Sequence, residues 1–314
     1  MKLYKSRDFS SFFTDTFEFI KQNGTHFFKQ FIIINGIFVL ILVAISYIFS
    51  SLFLNNYLEA ITSGNAASKF EEVMNGNEGL FIGLIISLII GSLIFGIISY
   101  AFTPIYFKLL EKNEDTNFNT SDIVSMYKAN ISKLLLFVAL GILIGIPLAL
   151  VFGIAAVIVS ITIIGILLLP LLVALFTSIY NMTLLEYLDQ KRSFFDCFSY
   201  SWSLIFSKFW PAVGCMGIFY VMSYVVQVAL SLIQSIFNIT SQLTIPNADA
   251  VTEDSSLFLI IVTLIFFIIT FFVGILLNTI LQINQSIVYY GLKEDKEQIN
   301  TKSDIDLIGA NNEQ

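Results

Sequence analysis

Apolar residues in this chain come in long unbroken runs rather than in the alternating or one-sided patterns of a water-soluble fold. No charged residue separates Lys29 from Glu59, and 31–54 is densely apolar. The same holds for 80–102, between Glu78 and Lys108, and for 211–237 and 257–280. About twenty apolar residues carry a helix across the ~30 Å hydrocarbon core of a bilayer, so each run predicts one span. The middle of the chain requires a turn, because 52 residues separate Lys133 from Glu186 without a charge. As one helix they would reach about 78 Å, more than twice the core. A reversal around Gly153–Thr162 predicts spans at 133–154 and 161–182. The pattern therefore predicts an all-α polytopic membrane protein with six transmembrane helices.

Ahead of each odd-numbered span lies a stretch with one-sided helical spacing. In the first, Phe9, Phe12, Phe13, Phe17 and Ile20 oppose Ser11, Thr14, Asp15 and Glu18. In the second, Ile123, Tyr127, Ile131 and Leu134 oppose Asp122, Ser125 and Ser132. In the third, Phe195, Phe198, Trp202, Ile205 and Phe209 oppose Ser199, Ser203 and Ser207. Ser193 with Asp196, and Asn119 with Asp122, have the spacing of helix-capping pairs. Such helices are expected to lie flat at the interface, aromatic side toward the lipid. The chain then reads as three repeats of an interfacial amphipathic helix plus a helical hairpin. These form a single membrane domain over 1–292, with a flexible tail at 293–314. The alternative is that the stretches are simply the ends of long spans.

Composition agrees: 56% of the 314 residues are hydrophobic and 12% charged, against about 25% charged in soluble domains. Mean hydropathy is +0.83. The location of charge says more than the net value of −7. Of sixteen Lys and Arg, five fall in 1–30, four in 103–133, three in 183–209 and three in 281–314. The loops 55–79 and 238–256 hold Lys69 against Glu59, Glu71, Glu72, Glu78, Asp249, Glu253 and Asp254. The excess of cations on cytoplasmic loops then predicts both termini in the cytoplasm. Segments 103–133 and 183–209 share a side only if an even number of spans separates them, which supports the central hairpin. No cleavable secretory signal is recognised, so the N-terminus is expected to remain. Nothing basic enough for nucleic acid is present.

Small residues mark helix-packing faces: Gly141, Gly145, Ala149 and Gly153 on span three, and Gly83, Ser87 and Gly91 on span two. Internal packing is their default meaning, contact between copies the other. Pro147 and Pro170 are expected to kink spans three and four. Spans five and six carry polar stripes, Ser223, Gln227, Ser231 and Ser235 on one and Thr270, Gly274, Asn278 and Gln282 on the other. These either hydrogen-bond as interhelical glue or line a cavity for a substrate headgroup. No ionisable side chain lies in the interior of a span, which disfavours proton relays and most ion-coupled transport.

Candidate chemistry is sparse. His26 is the single histidine and makes no zinc site by itself; it reads as an interfacial residue. Cys197 and Cys215 read as small packing residues. No P-loop, nucleophile elbow or paired acids are found, so no catalytic, metal or cofactor-binding residues and no cofactor are expected. Glu186, close to a span end, is expected to pair with Lys191 or Arg192.

Glu186 after a span, followed by Ser201-Trp202-Ser203-Leu204 and then Phe209-Trp210, resembles the glycerophosphodiester phosphodiesterase membrane-domain family. Arg7-Asp8-Phe9-Ser10 with Asp15-Thr16-Phe17 looks like that family's opening. The resemblance implies a multi-span membrane region, in some members fused to a soluble phosphodiesterase barrel, and a bacterial cytoplasmic (inner) membrane. One histidine cannot supply that barrel's metal-dependent chemistry, so no enzymatic activity is carried over. The expected role is that of a non-enzymatic scaffold or accessory subunit. The expected partners are membrane lipids and other membrane proteins or itself. The competing expectation is a permease for a lipid or other uncharged or zwitterionic solute.

Overall fold

The structure, a computed structural model, describes residues 2–49, 51–52, 71, 75–189, 191–244 and 253–300. Most of the two acidic loops and residues 301–314 lie outside these. The described residues form seven α-helices and no strand: α1 Phe9–Phe49, α2 Glu78–Asn113, α3 Thr120–Ser160, α4 Ile163–Leu188, α5 Phe194–Ser207, α6 Phe209–Thr244 and α7 Glu253–Glu297. All except α5 are long and apolar enough to cross a bilayer. The chain is thus an all-α, multi-pass membrane protein.

Helix boundaries follow local chemistry. Asn119 accepts from the Ser121 and Asp122 amides while Asp122 accepts from the Asn119 amide, a full capping box that starts α3. Ser193 accepts from the Asp196 amide and starts α5. The central reversal occurs at Ile161–Thr162, at the far end of the predicted window. There the Thr162 hydroxyl accepts from the Gly165 amide. A Cβ on Gly165 would lie 1.7 Å from the Val159 carbonyl oxygen, so the turn needs glycine at that position.

The three amphipathic stretches do not share one form. The first two continue without interruption into α1 and α3, each of 41 residues and about 60 Å long. A break there would expose up to four N–H and four C=O groups with nothing to satisfy them. The third is a separate helix, α5, because Pro211 lacks an N–H and its ring crowds the carbonyl of Ser207. The chain breaks at Lys208 (φ −137°, ψ 59°). Pro104, Pro147 and Pro170 all lie inside continuous helices.

Burial is lopsided along the bundle. Every residue of 101–110 and of 281–294 is buried. They join Phe12, Phe19 and Phe27 of α1 and the end of α4 in one aromatic core. The most apolar stretches of α1, α2 and α3 are only 17%, 6% and 11% buried, whereas that of α4 is 50% buried. The bundle is closed at the end where 2–8 and the end of α7 meet, and open to lipid along much of its remaining length. Residues 293–297, expected in a flexible tail, instead continue α7 into this core. Lys293 is 2% exposed and Leu292 fully buried, since the Lys293 ammonium pairs with Glu186 and Asp189.

Candidate functional site: a charged clamp at the closed end

Side chains from five parts of the chain converge at the closed end. α4 delivers Glu186, with Asp189 immediately after it; α7 delivers Tyr289, Tyr290, Lys293 and Glu297. The end of α2 brings Lys108 and Glu111, the segment before α1 brings Tyr4, and α5 with the loop before it brings Tyr200 and Arg192.

Lys293 and Glu186 occupy the centre. The Lys293 ammonium donates to Glu186 Oε2 at 2.8 Å, Asp189 Oδ2 at 3.0 Å and the Tyr289 hydroxyl oxygen at 2.9 Å, which uses all three of its protons. Tyr289 donates in turn to Glu186 Oε2 at 2.6 Å, and Arg192 faces Glu186 Oε1 at 3.4 Å. Lys108 bridges Asp189 Oδ1 at 2.5 Å and Glu111 Oε2 at 2.9 Å. Tyr4 and Tyr290 donate to the two oxygens of Glu111 at 2.6 and 2.8 Å. On the outer side Tyr200 donates to Glu297 at 2.5 Å, and the Arg192 guanidinium stacks 3.7 Å from the Tyr200 ring. Four carboxylates thus share three cations and four tyrosine hydroxyls.

The electrostatics follow from burial and neighbours. Burial opposes ionisation of Asp189, but Lys108 and Lys293 outweigh it and hold its carboxyl below the usual range. Burial, reinforced by Glu111, pushes the Tyr4 hydroxyl well up. Burial and Glu297 do the same to Tyr200. Cys197, buried with Glu186 nearby, has its thiol pushed up to about 11. A buried thiol held protonated is a poor nucleophile.

A neutral polar layer lies one to two helical turns deeper. Asn284 of α7 donates to the Thr16 hydroxyl at 2.9 Å and lies 3.5 Å from the Cys215 sulfur. Gln285 donates to Thr177 at 3.0 Å, and Thr177 meets the Tyr220 hydroxyl at 2.5 Å. Asn181 donates to the Gln282 carbonyl at 3.4 Å. Nearby, Arg7 is fully sequestered, bonding Asp15 at 2.7 Å and the carbonyls of Lys2, Leu3 and Lys5. A Cβ on Gly291 would come within 2.7 Å of the Phe12 ring, so that glycine lets α1 approach α7. His26 takes the Tyr106 hydroxyl on Nδ1 at 2.9 Å and meets the Phe118 carbonyl with Nε2 at 3.0 Å. It fastens α1 to α2 and to the following loop, a larger part than that of an interfacial residue.

The residues singled out in the sequence fall in different places. Of the polar stripes, Ser223 and Gln282 are buried, whereas Gln227, Ser231, Ser235, Thr270 and Asn278 are exposed. Ser231 and Ser235 bond back to carbonyls of their own helix. The two stripes are not brought face to face. Gly141 and Gly145 accommodate Tyr180 of α4, whose hydroxyl donates to the Gly141 carbonyl at 3.2 Å. With Ala149 they line a groove of about 500 Å³. Gly153 and Gly83 face open space, Ser87 is exposed, and Gly91 meets Leu42 of α1. Among the motif residues, Glu186 is the clamp's centre and Ser201 and Leu204 are buried; Phe209 is half-buried, Trp202 is 38% exposed and Trp210 73% exposed. Glu186 pairs with Arg192, as expected, and also with Lys293, which was not.

Sequence reasoning missed Lys293, Lys108, Glu111 and the tyrosines. One signal was present: Gln282, Gln285, Tyr289 and Lys293 continue the α7 stripe at helical spacing into the segment read as tail.

Comparison of the chain with protein-family models, with curated proteins and with solved structures gives no match. Among the described residues no group of three or more His, Cys, Asp or Glu is placed to hold a metal ion.

Proposed function

We propose that this chain is a non-enzymatic scaffold or accessory subunit of a membrane complex, in a bacterial cytoplasmic membrane with the clamped end facing the cytoplasm. The observation that carries the reading is the clamp itself. Each of its carboxylates has a cation partner within the chain, and it joins both ends of the described chain to α2, α4 and α5. That design favours one rigid platform over a group that binds and releases an ion. The separate helix α5 supports the same reading, with Leu204 and Ile205 buried on the bundle and Phe195, Trp202 and Phe206 turned outward. Aromatic side chains of this kind settle at membrane interfaces and dominate protein contacts. The resemblance in Glu186, Ser201 and Leu204 fits a shared structural role, since all three are buried at or beside the clamp.

The test is extraction of tagged chain from its native membrane in mild detergent, with mass spectrometry of what stays bound. A stoichiometric protein partner, reduced by Trp202→Ala with Phe206→Ala, is expected. Particles that hold only this chain, together with solute flux after reconstitution, would overturn the scaffold reading in favour of a permease.

A further inference from the structure

A second groove, of about 470 Å³, opens between α1, α2 and α3 on the lipid-facing side. Its walls include Ile34 and Ile37 of α1, Ile94 and Ile97 of α2, and Ile131 and Leu135 of α3. The one charged side chain in its lining is Lys128. Lys128 sits one turn before Ile131, where α3 first exposes large apolar side chains. Lys29 lies one turn before Ile33, another lining residue, and i, i+4 positions share a helix face. Both lysines are exposed, and neither has an ion pair among the described residues. Lys108, Arg192, Lys208 and Lys293, by contrast, are paired.

We propose that this groove binds one anionic phospholipid, an acyl chain against the isoleucine walls and the phosphate on Lys128, with Lys29 adding positive field. Depth and lining suit the acyl chain. From Lys128 to Leu135 the wall descends about 10 Å along α3, well into a leaflet whose hydrocarbon half-thickness is about 15 Å. The walls over that depth are apolar side chains, which suits a hydrocarbon chain lying along α3. Charge selects the headgroup, since two unneutralised cations at the mouth favour a net negative lipid over a zwitterionic one.

The experiment is native mass spectrometry of the full chain in mild detergent, titrated with phosphatidylglycerol or phosphatidylethanolamine. One phosphatidylglycerol is expected to bind in preference to phosphatidylethanolamine. Lys29→Gln with Lys128→Gln should weaken it by roughly fivefold per lysine, or about thirtyfold together, and Lys→Arg at both positions should restore it. Ile131→Trp, at a side chain already 58% exposed, should block the groove and lower binding of both lipids. Because all three positions are peripheral, thermal unfolding should match the parent chain, which separates lost binding from lost fold. Equal binding of the two lipids, or phosphatidylglycerol binding untouched by the double glutamine or Ile131→Trp variants, would overturn the proposal. None of these outcomes depends on whether a protein partner exists.

Discussion

Replacing Lys293 by methionine removes the hub of the clamp while keeping most of the side chain's volume. The side chains of Glu186 and Lys293 are 2% and 3% exposed, so the carboxylate left behind cannot recruit water freely. Removing one partner of a buried pair costs about 3–5 kcal/mol. Arg192 still faces Glu186 at 3.4 Å and Lys108 still holds Asp189 at 2.5 Å, which puts the expected loss near the lower limit, about 3 kcal/mol. Adding Glu186→Gln removes the stranded charge while an amide oxygen can still accept from Tyr289. The double variant should therefore lose less than the sum of the single losses, by about 0.5–3 kcal/mol. Equilibrium unfolding in mixed micelles, followed by tryptophan fluorescence, measures this directly, because the two tryptophans, Trp202 and Trp210, sit on the neighbouring α5 and α6. A loss below about 1 kcal/mol for Lys293→Met, or strict additivity in the double variant, would refute the view that the clamp holds the closed end together.

Other outcomes follow from the same geometry. Gly165→Ala should lower thermal stability sharply, since its Cβ would meet the Val159 carbonyl oxygen at 1.7 Å, whereas Gly153→Ala, with open space around it, should be silent in the same assay. Gly145→Ala should destabilise by crowding the Tyr180 hydroxyl, 2.9 Å from the new Cβ, and Tyr180→Phe should relieve most of that loss. The clamp should also weaken at both extremes of pH, read by unfolding midpoint across a buffer series. Asp189 titrates below its ordinary 3.8 in the folded chain, so it contributes stability above that value and loses it as pH falls further. Tyr4 and Tyr200 are raised from 10.0, so their contribution is full below pH 10 and fades only in stronger alkali. Asp189→Asn should flatten the acid limb selectively.

Much of the architecture was legible in the chain because hydrophobic length is a local quantity. The unbroken runs specify helices that cross a bilayer, and charge parity across loops specifies the central reversal, found at Ile161–Thr162. The capping pairs at Asn119 and Ser193 were readable for the same reason, since a cap satisfies amides two or three residues away. Helix continuity was less legible. The patterns before spans one and three look like that of α5, and what separates α5 from the next span is Pro211.

The clamp was decided by tertiary structure alone. Glu186 and Lys293 lie 107 positions apart, and Tyr4 and Glu111 likewise 107. Helical spacing carries the polar stripe of α7 on to Lys293, but it does not say whether that lysine is a buried hub or the first charge of a solvated tail. The polar stripes teach the converse: helical spacing puts Gln227 and Asn278 on definable faces, but whether a face meets protein or lipid depends on how helices rotate when they pack. In a membrane the surrounding lipid is as apolar as a core, so hydrophobic pattern fixes that a helix spans and leaves its inward face to packing and to buried charge. The sequence therefore determined six spans and their alternation, and the fold determined which charges met at the closed end.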